Sequence, residues 1–136
     1  MTVIALSGYY GFHNAGDEAI LEATIAALRR YQPGVRPIVL SADPTHTRKA
    51  YRVEAVSRLC LPSIIKTLRS ADLLLSGGGG LLQDVTSYRS VPYYLGVMKL
   101  AGIMGVKVAV FAQGIGPLHH HWSRHGVQKV LSGIDY

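Results

Sequence analysis

The chain predicts an α/β domain built as a Rossmann-like parallel sheet with helices on both faces. Three observations carry that expectation. Short β-branched and apolar runs alternate with segments of helical length and period, as in successive βαβ units. Three of those runs lead directly into glycine-bearing loops, Gly8–Gly16, Gly77–Gly80 and Gly114–Pro117. In open α/β sheets, such carboxyl ends of strands are where ligands bind. The length of 136 residues suits one such domain, residues 1–136, with a single buried core.

Thr2–Leu6 is the first expected strand. Asp17–Tyr31 follows as a helix, with Leu21, Ile25 and Leu28 on one face and Glu18, Glu22 and Arg29 on another. Asp17 and Glu18 complement the positive end of its dipole, and Pro33-Gly34 stops it. Arg36–Leu40 reads as the second strand, Ser41–Lys49 as a polar loop and Arg52–Val56 as a short third strand. Pro62–Ser70 is a helix leading into the strand Ala71–Leu75. Tyr93–Met104 is a helix that is apolar nearly all round, which places it in the core or in a partner interface. Val106–Ala112 is the next strand and Trp122–Ser132 the last helix. At Gly133–Tyr136 the alternation calls for another strand, so the chain reads as a fragment or as the first lobe of a two-lobed protein.

A hydrophobic content of 49% with 16% charged residues excludes a disordered or collagen-like chain. The net charge of +6 comes from 14 basic against 8 acidic residues, scattered without a run longer than Arg29-Arg30 or Arg48-Lys49. No stripe for duplex nucleic acid and no aromatic RNA-binding motif is visible. An anionic small substrate or an anionic membrane surface fits the sign equally well. A single cysteine, Cys60, points to a reducing compartment. The first residues begin a strand rather than a signal peptide, and Tyr93–Met104 falls short of the ~20 residues that span a bilayer. A soluble cytoplasmic protein is expected.

The first loop, Gly8-Tyr9-Tyr10-Gly11-Phe12-His13-Asn14-Ala15-Gly16-Asp17, fits neither a dinucleotide fingerprint nor an ATPase phosphate loop. Asp17 can cap the helix or act on a sugar hydroxyl as a base; Asn14 can hold the loop or bind substrate. His13 reads as a solvent-facing residue. The glycines Gly77, Gly78, Gly79 and Gly80 are harder to explain locally, since each costs roughly 0.5–1 kcal/mol relative to alanine in ordered structure. They read as a mobile loop. Gln83, Asp84, Ser87 and Arg89 follow. Asp84 offers a base and Arg89 a fork for carboxylate or phosphate, or else Asp84 and Ser87 cap the next helix and Arg89 is exposed. Gln113, Gly114 and Gly116 can present backbone N–H groups to an anion. His119, His120, His121 and His125 lack an acidic or thiol partner nearby and read as a polar loop that titrates just below neutral pH, not as a metal site.

Taken in order, Gly8–Gly11, Asn14–Leu21, Ser76–Asp84 with Thr86-Ser87, and Gln113–Leu118 resemble the polysaccharide pyruvyl transferases, most nearly the CsaB type of bacterial cell-wall enzyme. The resemblance implies the amino-terminal lobe of a GT-B-like architecture, two Rossmann-type lobes with the active site between them. It implies transfer of pyruvate from phosphoenolpyruvate, as a ketal, to N-acetylmannosamine in a lipid-linked secondary cell-wall polymer that S-layer proteins recognise. Phosphoenolpyruvate is then a donor substrate, and no cofactor is called for. On this reading Asp17 and Asp84 are the catalytic candidates, the remaining loop residues hold the acceptor, and the donor-binding cations lie beyond Tyr136. A 136-residue piece is then expected to be inactive alone. The lipid-linked acceptor suggests work at the inner face of the membrane, and a homo-oligomer is compatible with the apolar helix. Two other classes stay open: a nucleotide-sugar glycosyltransferase of the same architecture, and a non-catalytic module that binds sugar or a partner.

Overall fold

The computed structural model describes residues 1–82, 90–115 and 121–136; the side chains of residues 78–82, 90, 112–115 and 123 are outside that description. The elements are β1 (Val3–Ser7), α1 (Ala15–Tyr31), β2 (Arg36–Ser41), α2 (Pro44–Tyr51) and β3 (Glu54–Ser57), then α3 (Leu61–Ser70), β4 (Leu73–Leu82), α4 (Ser90–Ile103), β5 (Lys107–Ile115) and α5 (His121–Leu131). The strands form one five-stranded sheet in the order β3-β2-β1-β4-β5, and every pairing is parallel. The expected α/β class is therefore the observed one.

Strand alternation decides which helix covers which face. Ile4 and Leu6 of β1 pack with Val39 and Ala55 against Leu21 and Ile25 of α1. Ala5, between them, packs on the other face with Leu40, Leu74 and Val108 against Ile64 and Leu68 of α3, Tyr94 and Met98 of α4 and Val127 of α5. The apolar helix α4 belongs to the core, with Val91, Tyr94, Leu95, Val97, Met98 and Ala101 all buried. No helix among the described residues is long and apolar enough to cross a membrane.

Two expectations about local structure are corrected. The segment Ser41–Lys49 is not all loop, because α2 begins at Pro44. Asp43 caps it, its side chain accepting a 3.1 Å bond from the His46 N–H, while proline occupies the first turn. Only Thr47 of this helix is buried, so no apolar periodicity marks it. The glycine run Gly77–Gly80 is not a loop either: β4 continues through it to Leu82, paired with β5 at Gly77↔Phe111, Gly79↔Gln113 and Leu82↔Ile115 with a register shift between the last two. The neighbouring strand supplies the ladder that a local reading of four glycines cannot see. Likewise β5 runs to Ile115 and so includes Gln113 and Gly114.

The final residues lie along the free edge of β5. Tyr136 N–H donates to the Val108 carbonyl and the Val110 N–H donates to the Tyr136 carbonyl, both at 3.1 Å, which is parallel pairing opposite Ala109. Strand-like pairing thus occurs where the alternation called for it.

Candidate functional site

The strand order reverses between β1 and β4, so their carboxyl ends border the crevice that doubly wound sheets use for ligands. The loop after β1 rises beside it. Tyr10 turns inward, 2% exposed, and its hydroxyl donates a 2.7 Å bond to the Gly77 carbonyl. Burial, helped by Tyr94, Asp17 and Glu18 nearby, keeps this phenol protonated far above the ordinary range. Gly77 has no room for a side chain, because a Cβ would meet the Phe111 carbonyl oxygen. Gly11 is equally constrained: its φ is +85° and a Cβ would lie 2.5 Å from the Asp43 nitrogen. Both glycines let protein backbones approach each other closely.

Asn14 caps α1, its side-chain oxygen accepting a 3.1 Å bond from the Asp17 N–H. Asp17 is therefore not the cap, a correction that leaves its carboxylate in the first turn. Burial chiefly, and Glu18 next, raises its pKa above the usual carboxylate value, which shifts a carboxyl toward useful general acid–base behaviour. Glu18 accepts from the Gly11 N–H at 3.3 Å and from the Tyr51 hydroxyl at 3.1 Å, so it braces the loop. Burial and then Glu18 push Tyr51 up to about 12. His13 is solvent-facing, as expected, and adopts φ 61°. Its Nε2 lies 3.3 Å from the Asp43 carboxylate, and its ring meets His46 edge-on at 4.7 Å. The His46 N–H first, and His13 after it, hold Asp43 below the usual carboxylate range.

Sequence reasoning missed Arg58, immediately after β3. Its N–H donates 3.0 Å to the Ser41 carbonyl, and its own carbonyl accepts 2.8 Å from the Tyr93 hydroxyl. The guanidinium lies 4.2 Å from the Tyr93 ring centre, 4.8 Å from Phe12 and 5.5 Å from Tyr94. Phe12 stacks in turn on Tyr9, 3.9 Å apart at an interplanar angle of 12°. Burial pushes Tyr94 up to about 12 against the opposing pull of Arg58, yet the Tyr94 hydroxyl has no hydrogen-bond partner among the described residues. The guanidinium is thus near enough to act on the phenol electrostatically without a bond of normal geometry. The only sequence signal was an arginine at the end of a strand; the three aromatic residues come from two distant segments.

Of the other candidates, Gly78, Gly79 and Gly80 lie in β4 beside Gly77, and Gln113 and Gly114 lie opposite them in β5. The structure brings the first glycine loop and β4 together through Tyr10. Gln83, Asp84, Ser87, Arg89 and Gly116 lie outside the described residues. His121 and His125 sit one turn apart on α5; no group of three His, Cys, Asp or Glu among the described residues is placed to hold a metal ion.

A family model described as polysaccharide pyruvyl transferase matches residues 14–136. That span includes α1 with its cap, β4, β5 and Arg58. No curated protein matches the chain.

Proposed function

The chain belongs to the polysaccharide pyruvyl transferase family, and on that premise we propose that it takes part in transferring pyruvate from phosphoenolpyruvate to an N-acetylmannosamine residue of a lipid-linked secondary cell-wall polymer. What supports this reading is the family match over residues 14–136, which takes in α1 with its cap and the carboxyl end of β4. The cell-wall acceptor rests on the likeness of Gly8–Gly11, Asn14–Leu21, Ser76–Asp84 with Thr86-Ser87, and Gln113–Leu118, taken together, to the bacterial cell-wall members.

The reaction sets clear demands. A proton must reach the methylene carbon of the enol, making the adjacent carbon electrophilic. One sugar hydroxyl attacks that carbon and gives up its proton to a base. A second hydroxyl closes the ketal as the C–O bond to phosphate breaks and inorganic phosphate leaves. Asp17, with its raised pKa, suits the acceptance of a hydroxyl proton, and Asp84 is the second carboxylate candidate. Asn14, Gly77–Gly80, Gln83, Ser87, Arg89, Gln113, Gly114 and Gly116 are the proposed substrate-binding set. The exposed Tyr9–Phe12 stack offers a flat surface to the apolar face of a sugar. A lipid-linked acceptor would bring the protein to the inner membrane face.

The test is phosphate release from phosphoenolpyruvate with and without an N-acetylmannosamine-containing acceptor, on this chain and on the complete gene product. Acceptor-dependent release is expected from the complete product, and its loss in Asp17→Asn and Asp84→Asn. Absence of release overturns the donor assignment. Binding of a uridine diphosphate sugar in its place would move the protein to the glycosyltransferases.

A further inference from the structure

We propose that Arg58 is the anion-recognition residue of the crevice, its in-plane N–H edge taking two oxygens of a substrate phosphate or carboxylate. The inference rests on the pyruvyl-transfer reading for the identity of the anion, but its geometry is independent of that reading. A guanidinium interacts in two directions: its faces stack on aromatic rings, and its edge donates hydrogen bonds in the plane. Here the Phe12, Tyr93 and Tyr94 rings gather around the group. Its Nε is buried and has no hydrogen-bond partner among the described residues.

Three further features point to a ligand. Buried donors and acceptors are normally paired, yet the Tyr94 hydroxyl and the Ser7 hydroxyl are also unpaired among the described residues. Both residues are 1% exposed, and both belong to elements at the crevice: Ser7 ends β1 and Tyr94 lies in the first turns of α4. No carboxylate forms an ion pair with Arg58 in the described structure; the Asp43 and Glu54 carboxylates lie against His13 and Arg36 instead. The backbone of Arg58 is clamped at both ends, by Ser41 and by the Tyr93 hydroxyl, so the side chain starts from a fixed base. Such preorganisation is what bidentate anion recognition requires.

The anion has two candidate sources: phosphoenolpyruvate itself, and the diphosphate of a lipid-linked acceptor. Two measurements separate them. In the wild-type protein, phenylglyoxal adducts at Arg58 are mapped by mass spectrometry alone, with phosphoenolpyruvate, and with inorganic pyrophosphate as the diphosphate probe. Protection by phosphoenolpyruvate assigns Arg58 to the donor, and protection by pyrophosphate alone assigns it to the acceptor. In Arg58→Lys, which keeps the charge but not the fork, calorimetric affinity for the protecting anion should fall about tenfold, the scale of a hydrogen bond to a charged group. Its thermal midpoint should move little. Labelling unchanged by both anions, or unchanged affinity in a folded Arg58→Lys protein, overturns the proposal. If Arg58 escapes the reagent, the affinity comparison decides; if the variant does not fold, the labelling decides. Anion protection in a protein that never releases phosphate from phosphoenolpyruvate would leave Arg58 in this role and remove only the pyruvyl-transfer reading.

Discussion

The hydroxyl of Tyr10 donates to the carbonyl oxygen of Gly77 at 2.7 Å, joining the loop after β1 to β4 inside the protein. Among the described residues it ties the first glycine loop to the glycine run through a buried side chain. Removing the hydroxyl in Tyr10→Phe leaves a buried carbonyl without that donor. The expected loss is about 1–3 kcal/mol of stability, read from the urea midpoint, with little change in the slope.

Gly77→Ala tests the close approach of β4 and β5. The added methyl would meet backbone, the Phe111 carbonyl oxygen, which cannot swing aside as a side chain can. Overpacking of this kind costs typically about 1–3 kcal/mol. Amide exchange along β5 should rise with it, because the two strands must part for the methyl to fit. Exchange and stability like the wild type's would show that glycine is not required here for packing.

Asn14 carries two roles that substitution can separate. Asn14→Ala removes the cap of α1 and should cost about 1 kcal/mol. Asn14→Ser retains a capping oxygen and should keep the stability of the parent. A fall in acceptor-dependent phosphate release in Asn14→Ser, with stability intact, is expected if the amide binds substrate as proposed.

Asp17 should show itself in the pH dependence of stability. Its pKa is raised in the folded chain, by burial first and by Glu18 second, so the native state holds this proton more tightly than the unfolded chain. Its contribution is present in acid and is lost as pH rises through the folded value. Asp17→Asn carries no such charge, so relative to the parent it should gain stability as pH rises past the ordinary aspartate pKa of about 3.9 and on through the raised folded value. Solvent screening keeps that gain under about 1 kcal/mol. A relative loss across the same interval would mean that the ionised carboxylate is stabilised in the fold.

The helices with an apolar stripe were legible from spacing alone. Leu21 and Ile25 mark α1, and both are buried. The polar helix α2 was not, since its single buried residue, Thr47, leaves no period to read; the signal present was the capping pair Asp43-Pro44. The candidate site was half legible. Asn14 and Asp17 were recognised as residues at a helix start, but which of them caps depended on where the helix begins. Arg58 was invisible as part of a site because Phe12, Tyr93 and Tyr94 reach it from the loop after β1 and from α4.

By itself the sequence determined the α/β class, the alternation of strands with helices, and the family, because hydrophobic period and motif order are local properties that no distant contact can reverse. Tertiary structure alone decided that the glycine run is a strand. A strand exists through hydrogen bonds to its neighbours, and β5, which pairs with the glycine run, lies far from it in sequence. It also decided that a lone arginine after β3 stands among aromatic rings at the crevice. Such a cluster is produced by the crossover from β3 to β4, which carries residues more than thirty positions apart to the same end of the sheet.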